Sequence, residues 1–137
     1  MVTKGCDDAF RLIANISGTD AARKRNDVRI FTIGTHYAKE EFYSLLRLAP
    51  LDNGEFPAGY VHLPAAYDKA YFRGLVSESR VVHADGKVEW VRDRSVRNEP
   101  LDLRVMCRAA AELVGLGWIR DEHWNRLEAM CSQKESK

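Results

Sequence analysis

The residue pattern predicts a mixed α/β (α+β) fold with a small mixed sheet flanked by helices. A β-branched run, Val28 to Ile33, leads directly into residues at helical spacing. Two extended runs flank Ala84-Asp85-Gly86, and Asp-Gly between such runs signals a hairpin. Pro100 opens a long stretch rich in Ala, Leu, Met and Val. The resulting order is strand, helix, strand, helix, hairpin, helix, which suits helices packed on a sheet.

Along the chain, Phe10 to Ile16 alternates partly and reads as a strand ended by Ser17-Gly18-Thr19. Arg23-Lys24-Arg25-Asn26-Asp27 is a charged loop. Val28 to Ile33 is the next strand, closed by Gly34, and Thr35 is placed as the N-cap of a helix. Ala38, Phe42, Leu45 and Ala49 carry its apolar face, and it should end near Pro50. Gly59 to Leu63 reads as a short strand stopped by Pro64, and Tyr67 to Val76 as a helix. Ser79 to His83 and Lys87 to Val91 form the hairpin, and Arg92 to Arg97 is a basic linker. The main C-terminal helix begins at Asn98 or Glu99, with Pro100 in its first turn and Gly115 and Gly117 near its stop. Asp121 to Met130 forms a last helix, with Trp118, Trp124 and Leu127 expected to pack inward. Residues 1–131 are taken as one domain and 132–137 as a disordered tail.

With 137 residues, 45% apolar and 30% charged, the chain suits one modest core. Its net charge of +1 announces no nucleic acid, so any basic surface must be local. No apolar run reaches the roughly 18 residues of a membrane span, and no signal-peptide core is present. A soluble protein of the cytoplasm, with no membrane partner, is expected. Cys6, Cys107 and Cys131 are widely spaced and odd in number, which disfavours disulfides and structural zinc. Cys107 is expected in the core. His36, His62, His83 and His123 form no zinc-hydrolase pattern.

One carboxylate stands out. On a wheel of about 100° per residue, Arg104, Arg108 and Glu112 make a polar stripe. Asp102 falls opposite, among Met106, Ala109, Ala110 and Leu113. An acid aimed at a core must be paired, hydrogen-bonded or bound to a metal. Glu99 lies one turn earlier, so both acids reach one point and suit a divalent cation held by oxygen ligands. The competing reading is that both simply cap the helix and offset its dipole. Arg92, Arg94 and Arg97 adjoin this point and are candidate phosphate contacts. Lys39, with His36, begins a helix after a strand and is a candidate for anion binding. Tyr60, Trp90, Trp118 and Trp124 are candidates for base stacking, with core packing the more common role of such rings.

Three ordered blocks resemble the nuclease domain of the lambda-type phage terminase large subunit. They are Gly34-Thr35 before Ala38-Lys39, Gly59-Tyr60-Val61-His62-Leu63-Pro64, and Trp90 followed by Arg97-Asn98-Glu99-Pro100-Leu101-Asp102. The resemblance implies an RNase H-like domain, here an incomplete, C-terminal portion of it. It implies a DNA endonuclease of viral DNA packaging that uses two divalent ions, Mg²⁺ or Mn²⁺. Asp102 would be the catalytic metal ligand on the last helix, with Glu99 beside it. It also implies double-stranded viral DNA as substrate, the terminase small subunit and portal as partners, and the bacterial host cytoplasm as the setting.

The family carries a further acid at the end of its first strand. Only 32 residues precede the Ile33 block, and none of them reads as a strand ending in Asp, since Asp7-Asp8 follows Gly-Cys. No phosphate-binding loop of an ATPase is present. The expectation is a fragment, a truncated prophage gene or a separately encoded subdomain that cleaves DNA poorly or not at all. The alternative is a non-catalytic prophage remnant or assembly module. Either way an uncovered sheet edge would promote homo-oligomers.

Overall fold

The computed structural model describes residues 2–17 and 30–132. The basic run Arg23-Lys24-Arg25 and the last five positions lie outside these residues. Ile30–Gly34 (β3) is the centre of a small mixed sheet, with Val2–Cys6 (β1) parallel on one side and Ile13–Ser17 (β2) antiparallel on the other. β3 runs straight into α1 (Thr35–Leu45). After a long irregular segment come α2 (Lys69–Leu75), the hairpin β4 (Glu78–Val82) and β5 (Val88–Arg92), and α3 (Glu99–Leu113). A 3-10 turn at Leu116–Trp118 precedes α4 (Asp121–Ser132).

Two clusters make the core, and the helices α1 and α3 contribute to both. Leu12, Ile33, Ala38, Val105 and Ala109 form the first, over the sheet. Phe42, Leu75 and Leu101 form the second, over α2. Ala38 and Phe42 are four residues apart, as are Leu101, Val105 and Ala109, so each helix presents one ridge of successive turns to the other. The arginines of α3 flank this ridge. Arg108 makes a forked contact with Glu41 of α1 at 2.8 and 3.2 Å, and the Arg104 guanidinium lies 5.3 Å from the Phe42 ring centre.

Gly34 marks where β3, α1 and the N-terminal turn converge. A Cβ there would stand 2.0 Å from the Arg11 carbonyl oxygen and 2.8 Å from that of Asp8. Only a residue without one lets the Asp8–Leu12 turn close over the start of α1, where Gly34 N–H donates to Leu12 O at 2.9 Å and Tyr37 N–H to Asp8 O at 3.1 Å.

The hairpin, both main helices, the second helix and the last helix agree with the residue pattern; other expectations are corrected. The N-terminus forms a strand, β1, that periodicity did not reveal. Gly34 rather than Thr35 is the N-cap of α1; the Thr35 hydroxyl instead donates to Cys6 O at 2.9 Å, pinning the end of β1. α1 stops at Leu45, where Leu46 and Arg47 N–H groups turn back onto Phe42 and Ser44 carbonyls. Gly59 to Leu63 makes no ladder; Val61 and Leu63 lie as irregular chain against the second cluster. Cys107 is exposed, because α3 buries the Leu101 ridge and turns Met106 outward. Trp118, Trp124 and Leu127 are exposed, Trp118 at 85%, and α4 buries none of its residues. Its amphipathic pattern is not used to bury a face among the described residues. Ser132 closes α4 rather than starting a tail.

Leu101 is fully buried where α1, α2 and α3 meet. Leu101→Ala should lower unfolding stability by about 2–5 kcal/mol, read as a lower urea midpoint with an unchanged slope. A midpoint equal to wild type would refute this packing.

Candidate functional site

Asp102 sits in the first turn of α3, beside the buried ridge of Leu101, Val105 and Ala109 and on the far side of the helix from Arg104. It is half-buried. Among the described residues its carboxylate accepts no hydrogen bond, so the capping role open to a first-turn acid is not used. Its pKa is raised, foremost by burial; Glu78 and Glu99 push the same way, while Lys39 and Arg92 oppose. An ionised acid partly removed from water without a hydrogen-bond partner is costly, and acids with perturbed pKa values cluster at functional sites.

The network beside it runs through four segments. Lys39 Nζ of α1 lies 2.6 Å from Glu78 Oε2 at the start of β4, with both side chains largely buried. Glu78 Oε1 accepts from Asn98 Nδ2 at 3.3 Å, and Asn98 Oδ1 accepts from Arg92 Nη1 at 3.0 Å. Asn98, though the N-cap of α3, therefore gives its side chain to this chain of contacts and caps nothing. The Tyr43 hydroxyl donates to Glu78 O at 2.6 Å. Lys39, expected at a phosphate, thus has its ammonium engaged by Glu78. Glu78 was missed by sequence reasoning: a lone acid opening a hairpin carries no signal until its partner 39 positions earlier is known.

The N-terminal acids need a further correction. Asp7 directly follows β1, so a strand followed at once by an acid does exist. β1 was illegible because it is five residues long and includes Gly5. The Asp7 carboxylate is exposed, 3.6 Å from His36 Nε2. Asp8 is committed to its turn, accepting from Phe10 and Arg11 N–H at 2.8 and 2.9 Å; these bonds hold its pKa below the usual range. His36, a candidate for anion binding with Lys39, is largely covered. His36 and Lys39 lie one turn apart on α1, about 5 Å along its axis, so the Asp7 contact and the Lys39–Glu78 pair fall on neighbouring turns of the same helix.

Glu99, Arg94 and Arg97 are exposed around this point, as is Arg92. Asp102 and Glu99 are the carboxylates an ion would meet at the head of α3. Among the described residues, however, no three His, Cys, Asp or Glu side chains gather closely enough to hold a metal ion. Glu78 faces Lys39 and Asn98 instead. The donor set in this arrangement does not fit a two-ion centre.

Two outcomes follow from these electrostatics. Since burial raises the Asp102 pKa, its ionised form is disfavoured in the folded state, fully so above the raised pKa. The penalty fades as pH falls towards the ordinary carboxylate value of about 3.9. Asp102→Asn should therefore raise the melting temperature at neutral pH, with a gain that shrinks in acid; a lower melting temperature at neutral pH would contradict this. Lys39→Met leaves Glu78 buried and unpaired and should cost about 3–5 kcal/mol. Adding Glu78→Gln should recover much of that loss, and a double variant with the same deficit would show that the pair is not the cause.

A family model described as terminase large subunit gpA, endonuclease domain, matches residues 3–124, from within β1 into α4. No curated protein and no solved structure matches the chain. With most of its length covered, the Arg97 to Asp102 block at the head of α3 included, the chain belongs to the endonuclease-domain family of the phage terminase large subunit gpA.

Proposed function

We propose that this chain supplies the Asp102 end of a terminase endonuclease domain and, alone, cuts DNA weakly or not at all. The observation that carries this reading is the half-buried, unbonded Asp102 carboxylate at the head of α3, within a family match that reaches from β1 to α4. Arg92, Arg94 and Arg97 would contact phosphates of double-stranded viral DNA along the linker into α3. Asp102 would be the catalytic acid, with Glu99 a second metal ligand and Asp7 the acid following a strand. Mg²⁺ or Mn²⁺ is the ion the family reading calls for, and such ions assist attack on phosphodiesters. Among the described residues no three such donors converge. The terminase small subunit and portal would be the assembly partners, in the bacterial host cytoplasm.

A second reading, a non-catalytic assembly module, is favoured by α4. Trp124, Leu127 and Met130 stand exposed on it, and the family match ends at residue 124. Large exposed apolar side chains in a group mark interaction surfaces.

Calorimetric titration with Mn²⁺ and a plasmid-nicking assay separate the readings. Heat of binding that disappears in Asp102→Asn, with cleavage near background, is the expected result. No binding in either protein would favour the assembly module. Robust Mg²⁺-dependent cutting abolished by Asp102→Ala would overturn the weak-activity reading.

A further inference from the structure

A concave groove is lined in part by Glu78. It is a groove of about 300 Å³ lined by Glu40, Tyr43, Arg47, Glu78, Arg80 and Trp90, among others, at the small end of ligand sites. Its wall is aromatic and fixed. The Trp90 and Tyr43 rings lie 5.0 Å apart between centres. Tyr43 is anchored through its hydroxyl, which donates to Glu78 O and accepts from Glu78 N–H at 3.3 Å. Arg80 is directly opposite Trp90 in the hairpin register, which puts their side chains on one face.

The charges decide what such a wall can hold. Glu40 is paired with Arg80 at 3.1 Å and Glu78 with Lys39 at 2.6 Å. Among the described residues Arg47 has no carboxylate partner. The groove therefore combines flat rings with a surplus guanidinium, which disfavours a cationic ligand and suits an aromatic base attached to a phosphate. Bases stack on such rings irrespective of sequence, but only when they are out of the duplex stack.

We infer that this groove binds one unpaired nucleotide of a DNA strand, with its base against Trp90 and its phosphate at Arg47 and Arg80. The inference rests on the reading that the chain engages DNA. It adds a strand-holding site that shares Glu78 with the Lys39–Glu78–Asn98 network at the head of α3.

The test is fluorescence anisotropy in EDTA, so that cleavage is not scored. The probes are a short labelled oligo(dT), the same strand annealed to its complement, and free thymidine monophosphate as competitor. The single strand should bind about tenfold more tightly than the duplex. Trp90→Leu should abolish that preference, a loss of roughly tenfold, while Trp90→Phe keeps most of it. Arg47→Ala, at an exposed position, should lower the salt slope of single-strand binding by about 0.7. It decides the matter if Trp90→Leu does not fold. Equal binding of strand and duplex, with duplex bound, would overturn the groove assignment and leave the proposed function standing. Failure to bind either would overturn both. Competition by the monophosphate at the same nucleotide concentration as the strand would overturn assignment to a DNA strand.

Discussion

The ion pair between Lys39 and Glu78 is the constraint on which the rest of this architecture depends. A carboxylate that is 5% exposed is tolerated only with a partner and further hydrogen bonds. Lys39 and Asn98 provide these, and each belongs to a different element. The pair thereby fixes the hairpin against α1. It also sets the path of the chain into α3, because Asn98 is the residue on which that helix begins. Tyr43 is drawn in through the Glu78 backbone, and Trp90 through Tyr43. Removing either charge leaves the other buried, which is worse than never having had the pair.

What was legible in the sequence follows from what periodicity records. The hairpin was readable because Asp85-Gly86 and the runs beside it encode local geometry. The long helix was readable because Pro100 and the residues after it agree on one state. The direction of α3 was not. A wheel ranks faces by polarity, yet Met106 faces water while Arg104 and Arg108 lie against α1. Arginine stems cover apolar surface and their heads find Glu41 and the Phe42 ring. Which face is buried depended on α1, and no local pattern contained that partner.

The same limit explains the site. Asp102 was conspicuous as an acid at odds with its helix face, and it is half-buried. Its surroundings were misjudged because the neighbours that matter are remote. Glu78, Lys39 and Arg92 come from three other elements, and Asp7 follows a strand too short to register. α4 shows the converse case. Its amphipathic spacing was visible, but a pattern states that a helix can bury a face, not that a neighbour exists.

The local charges bear on how an acid so placed would meet DNA. Around Asp102 stand two further acids, Glu78 and Glu99, and two cations, Lys39 and Arg92. With Asp102 ionised that set sums to one negative charge, which repels a phosphate at short range. A phosphate reaches this point only if Asp102 takes up a proton, a cation arrives with it, or Arg94 and Arg97 turn in from the linker. The raised pKa of Asp102 comes foremost from burial, to which Glu78 and Glu99 add. The set around Asp102 thus carries a net negative charge when that acid is ionised, whereas the groove lined by Glu78 also holds Arg47, which has no carboxylate partner among the described residues. On the proposed reading, contact with DNA would begin at the groove and the linker arginines, independently of whether chemistry follows at Asp102.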